Sequence, residues 1–451
     1  MLTSHILTKT LSQPQLQGRP LVLALSGGVD SIALLLLLVE LRRERTLEEE
    51  IQLSAIHVHH GLSDNADAWA DFVAQVCQEL DVPLAIERVQ LNPRGRVSTE
   101  QLAREARYQA LALHSPEKAL VLTAHHQGDQ AETLLLRLMR GAGLTGLSGI
   151  RPMSDFPNDL GRDKGLTLVR PLLGMSKDEL ETIAKDRQAS WVFDESNLSE
   201  DYDRNFVRQS VLPLLVSRWP AASASLARSA DLLQQERALL NDYLNLDLVQ
   251  LLQPGFLDAP CLEIATLSVM PKNKCAALLR LFVYRQANTY PSQNALAQIM
   301  TQMMEAEQDR SPEVKIANGH LRRHRGLLYW VGELKFERTT EPVQNGEQVA
   351  LINPCYTSIE ISQDGIAEQD FRIEFGDYQA KFRVRESAGA KPVKQVLKEL
   401  GCPVWLRPYI PLIFRNDELV AIGDLVIASR QGRQLSVVAK RHGYMSFTLT
   451  R

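Results

Sequence analysis

Apolar residues follow two different periods along the first part of the chain, and the two periods alternate. Short strand-like runs lie at 21–25, 53–59, 84–89, 119–123 and 166–169. Between them, apolar residues recur at helical spacing over 32–43, 66–80, 99–114 and 133–140. Alternating strands and helices form βαβ units, so the pattern predicts an α/β fold, a mostly parallel sheet with helices on both faces. Ligands of such sheets bind beyond the carboxyl ends of the strands.

The pattern changes after residue 205, where strand signals stop. Helical spacing covers 221–252, 272–285 and 292–305, and a hairpin is predicted over 314–330. The polar stretch 336–348 contains Pro342 and Gly346, which is typical of a linker. Strand-like runs then surround one helix over 392–400. We therefore predict three domains: an α/β domain over 1–215, a mainly helical domain over 216–335 and a small α+β domain over 349–451.

Composition is that of an ordinary globular protein. Hydrophobic residues make up 45% and charged residues 23% of the 451 residues, which argues against disorder and against a fibrous class. The longest apolar run, 32–39, is far shorter than the roughly 20 residues that span a bilayer, and the N-terminus lacks a signal-peptide pattern. The five cysteines include no C-x-x-C pair, which favours reduced thiols. We expect a cytoplasmic protein with no membrane segment.

Charge is unevenly distributed along the chain. The net charge is -4, but residues 381–451 hold 13 basic against 5 acidic residues, and the rest of the chain holds 37 against 49. A basic terminal domain on an acidic body can bind a polyanion locally. A solvated basic surface would have the same composition, so charge alone leaves both interpretations open.

The segment Ser26-Gly27-Gly28-Val29-Asp30-Ser31 joins the first predicted strand to the first predicted helix. Glycines let the backbone approach an oxyanion, and the N–H groups of a helix start, with the serine hydroxyls, point donors at it. Asp30 is an anion and repels phosphate, so its place here indicates a ligand for Mg²⁺ bridging carboxylate and phosphate. The six residues therefore predict a phosphate-binding loop, although a plain βα turn can also be rich in glycine and serine.

Two other nucleotide motifs do not fit. A Walker A loop is absent, so γ-phosphate hydrolysis by a P-loop enzyme loses its main support. Residues 141–146 match G-x-G-x-x-G, but they follow a helix instead of a strand, which is the wrong context for dinucleotide binding. We interpret this stretch as a loop leaving the helix.

Two further polar segments carry candidate site residues, and the first is expected at the same sheet edge as the phosphate loop. Residues 125–133, HHQGDQAET, follow the strand at 119–123, and their acids Asp129 and Glu132 could also be simple capping residues. Further on, Arg204 and Arg208 lie four apart, on one face of a helix. Such arginines can bind phosphate or RNA, or they can pair locally with Asp201 or Asp203.

Three histidines, His57, His59 and His60, suggest zinc but do not form a zinc pattern. Neighbours on a strand point to opposite faces, and no cysteine or acid completes a four-ligand set at familiar spacing. A polar wall of the nucleotide pocket is the better interpretation.

Together these motifs resemble a known family. SGGVDS resembles the PP-loop of the N-type ATP pyrophosphatases, which form adenylates. HVHHGLS at 57–63, HHQGDQAET, RPLL at 170–173, DESN at 194–197 and YDRNFVR at 202–208 resemble the tRNA(Ile)-lysidine synthetase family, as do KPVK at 391–394 and GCPVWLR at 401–407. The resemblance covers all three predicted domains.

The resemblance implies a cytoplasmic ligase acting on isoleucine tRNA with a CAU anticodon. ATP adenylates the C2 oxygen of the wobble cytidine, pyrophosphate leaves, and the ε-amine of L-lysine displaces AMP to give lysidine, which changes codon specificity from AUG to AUA. Carried over, residues 26–31 hold ATP and Asp30 helps to bind Mg²⁺. Asp129 matches the second aspartate of an H-x-x-D-D segment, and we assign its histidine to His126. Gly128 stands where the family has the first aspartate.

The remaining assignments concern RNA. Arg204 matches a basic helix near the reacting groups, so the predicted catalytic set is Asp30, His126, Asp129 and Arg204. The predicted tRNA ligands are Arg208, Arg322, Arg323, Arg325, Lys391, Lys394 and Arg407. A homodimer through the region after 205 is a further expectation.

Two other functions stay open at this stage. A tRNA thiolase would need a reactive thiol near the nucleotide, and the only cysteine of the first domain, Cys77, lies mid-helix among apolar residues. An RNA-binding protein without catalysis is made conceivable by Gly128.

Overall fold

The computed structural model describes residues 7–8, 10–14, 16–44, 52–61, 63–89, 99–195, 202–304, 312–316, 319–332, 336–337, 342–363, 371–384, 389–428 and 435–441. Contacts divide the chain into two compact units, Met1–Leu239 and Leu240–Arg451. The second unit holds the third predicted domain and most of the second, whose residues 216–239 belong to the first unit. The division into three domains stays a prediction.

The first unit contains the predicted parallel sheet. Its strands are β1 (Leu21–Ala24), β2 (Leu53–His59), β3 (Leu84–Arg88), β4 (Leu120–Leu122), β5 (Met153–Asp155) and β6 (Thr167–Val169). They lie in the order β3-β2-β1-β4-β6-β5, and every pairing is parallel except that of β5 with β6. The α/β prediction is confirmed, and each of the five predicted strands is present. The strand β5 was not predicted, because its sequence Met-Ser-Asp is mostly polar, whereas the equally short β4 and β6 lie in longer apolar runs.

Helices connect these strands. They are α1 (Val29–Glu44), α2 (Ala66–Glu79), α3 (Thr99–His114), α4 (Gln127–Met139), α5 (Leu144–Leu147), α6 (Asp159–Asp163), α7 (Lys177–Asp186), α8 (Asp203–Phe206), α9 (Leu212–Arg218) and α10 (Ala222–Leu251), the last running across the division between the units. A π-helical turn, Val207–Val211, joins α8 to α9.

Helix α1 is the centre of the largest core cluster of the first unit. It is apolar on nearly all sides, and residues such as Ile32, Leu34 and Leu38 are at most 1% exposed. A helix that is hydrophobic all round must be covered by neighbours, and α7 packs against it. This burial holds the start of α1, and with it the predicted phosphate loop, in one position.

The second unit contains more strands than the sequence predicted. Its helices are α11 (Ile264–Ser268), α12 (Lys272–Ala287), α13 (Gln293–Gln298) and α14 (Val393–Glu399). The strands are β7 (Leu252–Pro254), β8 (Pro260–Glu263), β9 (Glu313–Ile316), β10 (Gly319–His324), β11 (Leu327–Gly332), β12 (Pro342–Val343), β13 (Gln348–Ala350), β14 (Tyr356–Gln363), β15 (Phe371–Glu374), β16 (Lys381–Phe382), β17 (Lys391–Pro392), β18 (Leu412–Arg415), β19 (Glu418–Ile422), β20 (Val426–Ile427) and β21 (Leu435–Arg441).

The predicted hairpin over 314–330 belongs to a larger antiparallel sheet. Its strands lie in the order β7-β8-β11-β10-β9, so strands do occur soon after residue 205, in contrast to the prediction. The remaining strands form sheets around α14, which confirms the α+β character of the last region.

The stretch predicted as a linker, 336–348, is structured where the model describes it. The ring of Phe336 lies 5.1 Å from that of Phe375 and 5.2 Å from that of Tyr409. Strands β12 and β13 also fall within or at the end of this stretch. The linker prediction is therefore wrong for these parts, and its residues 338–341 lie outside the described residues.

The described helices were also searched for membrane spans, and none combines the length and apolar character that crossing a bilayer requires.

The burial of α1 generates a stability prediction. Leu34→Ala removes a side chain that is 0% exposed, so we expect the free energy of unfolding of the first unit to fall by about 2–5 kcal/mol. The matched control is Leu113→Ala on α3, where the side chain is 55% exposed and a change below about 0.5 kcal/mol is expected. Urea denaturation of both variants measures the difference, and equal midpoints would contradict the role given to α1.

Candidate active site

The predicted phosphate loop joins β1 to α1 and is held by its two serines. Their hydroxyls share a hydrogen bond of 3.1 Å, and the Gly27 N–H donates to Ser31 Oγ at 3.2 Å. Gly27 has a φ of +91°, and a Cβ there would lie 2.9 Å from Val192 Cγ2. Only glycine suits this position, because a side chain would be strained and would also meet a neighbour. The loop is therefore a tight turn that presents backbone N–H groups and hydroxyls beside a helix start.

Asp30 occupies the first turn of α1. Among the described residues, its Oδ1 is buried and has no hydrogen-bond partner. Burial raises the pKa of Asp30, and the neighbouring His126 and Lys177 partly oppose that rise. A buried carboxylate oxygen without a donor is costly unless a ligand completes its bonding. Asp30 is thus positioned as the sequence predicted for a cation ligand.

The second segment begins α4 with a capping box. The His126 N–H donates to Asp129 Oδ2 at 2.8 Å, and the Gly128 N–H donates to His126 Nδ1 at 2.9 Å. Because a backbone N–H can only donate, Nδ1 is the acceptor, and the proton of the neutral ring lies on Nε2. That Nε2 is 3.8 Å from Asp30 Oδ2 and 3.7 Å from Asp129 Oδ2. The fold therefore brings His126, Asp30 and Asp129 together, as predicted.

Arg204 and Arg208 complete the site through a buried ionic network. Arg204 Nη2 lies 2.7 Å from Asp129 Oδ1, and its Nε lies 2.7 Å from Glu132 Oε2. Arg208 Nε and Nη2 donate to the two oxygens of Glu132 at 2.6 and 2.9 Å. We name these four residues, Asp129, Glu132, Arg204 and Arg208, the ionic network. A π-turn, a feature frequent at functional sites, contains Arg208.

This network corrects the sequence analysis in two ways. The alternative that the arginines pair with neighbouring aspartates is wrong for Asp203, whose partner is Arg140 at 3.2 Å, and Asp201 lies outside the described residues. Arg208 was predicted as an RNA ligand, but its charge is engaged by Glu132. It belongs to the site and not to a separate RNA surface.

The surroundings shift the pKa values of Asp30 and Asp129 in opposite directions. Burial opposes ionisation of Asp129, but its neighbours His126 and Arg204 outweigh burial and lower its pKa. Burial also opposes the charge of Arg208, yet its hydrogen bond with Glu132 leaves its pKa raised. Asp129 is held as a carboxylate by its partners, whereas the pKa of Asp30 is raised by burial. The environments therefore differ for two acids that flank one histidine.

Two residues of the site were missed. Glu132 is 1% exposed and bonds both arginines, and its spacing of three from Asp129 on one helix was the available signal. Lys177 at the start of α7 acts on Asp30 electrostatically, and no pattern in the sequence marked it.

The spacing of H-x-x-D-D also needs a correction. Three residues before Gly128 stands His125, not His126. The His125 ring hydrogen-bonds Thr123 Oγ1 at 2.9 Å, and burial lowers its pKa to about 4. His126, not His125, faces Asp30, so the two neighbours have different roles. Nearby, His57 Nδ1 lies 2.9 Å from the Leu25 carbonyl oxygen, beside the phosphate loop.

The predicted tRNA ligands of the second unit fall into two groups. Arg323 is 5% exposed and donates to the Met303 carbonyl at 3.0 Å, so its burial favours a structural role, in contrast to the prediction. The others reach the surface at least in part. Arg322 pairs with Glu313, Arg325 with the Lys398 carbonyl, Lys391 with Glu399 and Arg407 with the Cys402 carbonyl, while Lys394 is exposed on α14.

Comparisons with known proteins agree along most of the chain. A family profile described as PP-loop domain matches residues 3–215, one described as TilS substrate binding domain matches 262–329, and one described as TilS substrate C-terminal domain matches 371–438. These matches cover the phosphate loop, the ionic network and much of the second unit.

Individual relatives match over almost their whole length. The chain is 35% identical to the tRNA(Ile)-lysidine synthase of Shigella flexneri over 430 residues, which cover 93% of this chain and 95% of that protein. It is 36% identical to that of Escherichia coli O157:H7, over 92% and 94%, and 36% identical to that of Vibrio parahaemolyticus, over 94% and 94%. A solved U34-tRNA thiolase from Methanococcus maripaludis aligns with 19% identity and a TM-score of 0.42, over 52% of this chain and 78% of that one.

Gly128 provides a test of how His126 is held. A Cβ at this position would lie 2.6 Å from His126 Cε1, so Gly128→Ala must displace the ring that caps α4. We expect the free energy of unfolding to fall by about 1 kcal/mol, the usual cost of a lost N-cap. The NMR signals of the His126 ring nitrogens should also change in protein carrying ¹⁵N-labelled histidine.

Gly174→Ala is the matched control, because a Cβ there has no neighbour within 4 Å among the described residues. It should leave the His126 signals unchanged. Unchanged His126 signals in Gly128→Ala would contradict the packing of the ring over Gly128.

Proposed function

The chain belongs to the tRNA(Ile)-lysidine synthase family, and on that basis we propose how its site carries out the reaction. It is an ATP-dependent ligase that forms lysidine on tRNA(Ile). The C2 oxygen of the wobble cytidine attacks the α-phosphate of ATP and pyrophosphate leaves. The ε-amine of free L-lysine then bonds to C2, the C2–O bond breaks and AMP departs. Lysidine in the CAU anticodon changes the codon read from AUG to AUA.

The observation that carries this proposal is the convergence of three separate segments at one sheet edge. The phosphate loop, the start of α4 and the helix after residue 202 bring Asp30, His126, Asp129 and Arg204 together. Ligands of parallel sheets bind at this edge. We propose that the N–H groups of residues 26–31 and the hydroxyls of Ser26 and Ser31 bind the pyrophosphate part of ATP, exchanging their mutual hydrogen bonds for bonds to phosphate.

A magnesium ion fits beside Asp30. The buried Oδ1 without a hydrogen-bond partner is a hard oxygen donor of the kind that Mg²⁺ prefers. Asp30 would hold the ion together with ATP phosphates. When bound, the ion neutralises phosphate charge and orients the leaving pyrophosphate.

The ionic network fixes two guanidinium groups near the reacting atoms. Arg204 and Arg208 are each bonded to Glu132, so their orientation is set before substrate binds. Fixed positive groups that need no reorganisation stabilise charge that develops in the transition state. We propose that they face the α-phosphate and the departing AMP. Asp129 lies next to them and, as a carboxylate, can take the proton that lysine loses when its amine attacks, while His126 orients the two aspartates through its Nε2–H.

The nucleophile favoured by this site is an amine and not a thiol. Cys77 is the only cysteine of the first unit, it is 1% exposed, and burial raises its pKa to about 11. A thiol that stays protonated inside a core cannot relay sulfur. This argues against the thiolase alternative, and the assembled site argues against a catalytically inactive RNA-binding protein.

The second unit is the proposed site of wider tRNA binding. Arg322, Arg325, Lys391, Lys394 and Arg407 remain candidates for phosphate contacts, and such contacts weaken steeply as salt rises. We place the reaction in the cytoplasm, where tRNA is modified. A homodimer through the region after 205 stays a prediction that light scattering tests.

The decisive assay mixes the full protein with Mg²⁺-ATP, CAU-anticodon isoleucine tRNA and L-[¹⁴C]lysine. We expect AMP formation and label in tRNA, and we expect Asp30→Asn to lower both by about 100-fold or more, since it removes the cation ligand. The matched control is Asp163→Asn, an exposed aspartate of the same unit, which should retain the rate of the unaltered protein.

Each other outcome points elsewhere. AMP formation without labelled tRNA would support the adenylation step and would show that the nucleophile is not lysine. No AMP from the unaltered protein would support the inactive RNA-binding alternative. A fully active Asp30→Asn variant would overturn the role of Asp30.

A further inference from the structure

Four arginines of the first unit lie near enough to act on one another electrostatically. We name Arg104, Arg137, Arg151 and Arg170 the arginine cluster. Tyr108 interacts with two of them: the Arg104 Cζ is 5.0 Å from the Tyr108 ring centroid, and Tyr108 also interacts with Arg170. Arg170 Nη1 donates to the Arg151 carbonyl at 2.7 Å. The cluster includes Arg170 of the RPLL motif, a residue that has no role in the active site described above.

The cluster is built on a rigid base. Tyr108 is 7% exposed, and its ring packs edge-on against Phe156 with centroids 5.7 Å apart. Arg137 Nη1 donates to the Gly146 and Gly149 carbonyls at 2.7 and 2.8 Å, which uses the glycine-rich loop after α4. The guanidinium groups are thus positioned by fixed neighbours.

The cluster has no counter-charge of its own. Over the part of the chain that the structure describes, the ion pairs to carboxylates involve none of its four arginines. Their bonds go to carbonyls, to a serine hydroxyl and to an aromatic ring. Arg170 is 8% exposed and its Nε has no hydrogen-bond partner among these residues. Burial lowers the pKa of Arg170, and the charges of Arg104 and Arg151 lower it further.

Several positive side chains held close together without a carboxylate partner are typical of a site that binds an anion. The position of His125 places that anion beside the reaction. Arg170 follows β6 directly and His125 closely follows β4, and the Thr123 N–H donates to the Val169 carbonyl at 3.0 Å, so both residues lie at the same end of the sheet. Arg104 and Arg151 are exposed while Arg170 is buried, so the cluster opens to the surface.

We propose that the arginine cluster binds the phosphodiester backbone of the RNA substrate next to the reacting nucleotide. This inference rests on the proposed function, because it takes RNA as the substrate. A chain of phosphates carries one negative charge per nucleotide and suits several arginines with an exposed rim, whereas the single carboxylate of lysine needs one. In this proposal the cluster positions the anticodon loop, and the ionic network lies beside the reacting wobble cytidine.

The test uses the two exposed members, which can be changed without altering the buried Arg170. An anticodon stem-loop RNA is titrated into the full protein by fluorescence anisotropy at several salt concentrations. We expect Arg104→Ala and Arg151→Ala each to weaken binding by about 3- to 10-fold and to reduce the slope of log affinity against log salt by about 0.7–0.9. Arg151→Lys keeps the charge and should keep the slope.

The matched control is Arg43→Ala, which removes an exposed arginine at the far end of α1. It should change neither affinity nor slope, and unchanged melting temperatures for all variants show that folding is intact. RNA affinity and slope unaltered in both cluster variants would overturn the proposal. A raised KM for lysine with unaltered RNA binding would overturn it too, and would assign the anion to the lysine carboxylate.

The binding readout is independent of the chemistry. If the unaltered protein binds the stem-loop through the cluster but forms no lysidine, the proposed function fails and the cluster stands. If lysidine forms while the cluster variants bind RNA normally, the cluster fails and the function stands.

Discussion

The site depends on one constraint: the carboxylates buried at the start of α4 must be paired with positive groups. Glu132 is 1% exposed and Asp129 8%, and an unpaired buried carboxylate costs several kcal/mol. Arg204 and Arg208 supply the compensation from more than 70 residues further along the chain. The network therefore holds α8 and the π-turn against α4. It also sets the direction of both guanidinium groups, so the same bonds meet a structural requirement and, in the proposed mechanism, a catalytic one.

Asp30 differs from these acids because it has no such compensation. Its Oδ1 is buried without a donor among the described residues, while Asp129 accepts bonds from His126 and Arg204. The difference separates their roles, since a satisfied carboxylate orients its neighbours and an unsatisfied one awaits a ligand. His126 lies between the two acids, with its ring fixed over Gly128. The absence of a side chain at position 128 is thus used in this fold, because it makes room for the ring.

The arginines, like the two aspartates, fall into a group with partners of opposite charge and a group without them. In the ionic network each arginine is matched by a carboxylate, whereas the arginine cluster has bonds only to neutral groups over the described residues. Matched arginines are held firmly and keep their direction, and unmatched arginines attract an anion. A protein with a net charge of -4 can therefore bind a polyanion, because what matters is the local arrangement of charge beside the reacting groups.

The sequence by itself determined most elements of the first unit and the family, and it predicted the phosphate loop. Strands and helices of the first unit have strong periods, and SGGVDS lies within six adjacent residues, so local information was sufficient. The strands β5, β7 and β8 were missed because each is short and, unlike the short β4 and β6, contains an acidic residue or proline. Only the tertiary structure decided which charges meet. The pairing of Arg208 with Glu132, the bond from Arg323 to the Met303 carbonyl and the interaction of Arg170 with Tyr108 join residues far apart in the chain. Spacing along a sequence holds no information on such distances, because burial and charge pairing are settled by how helices and strands pack.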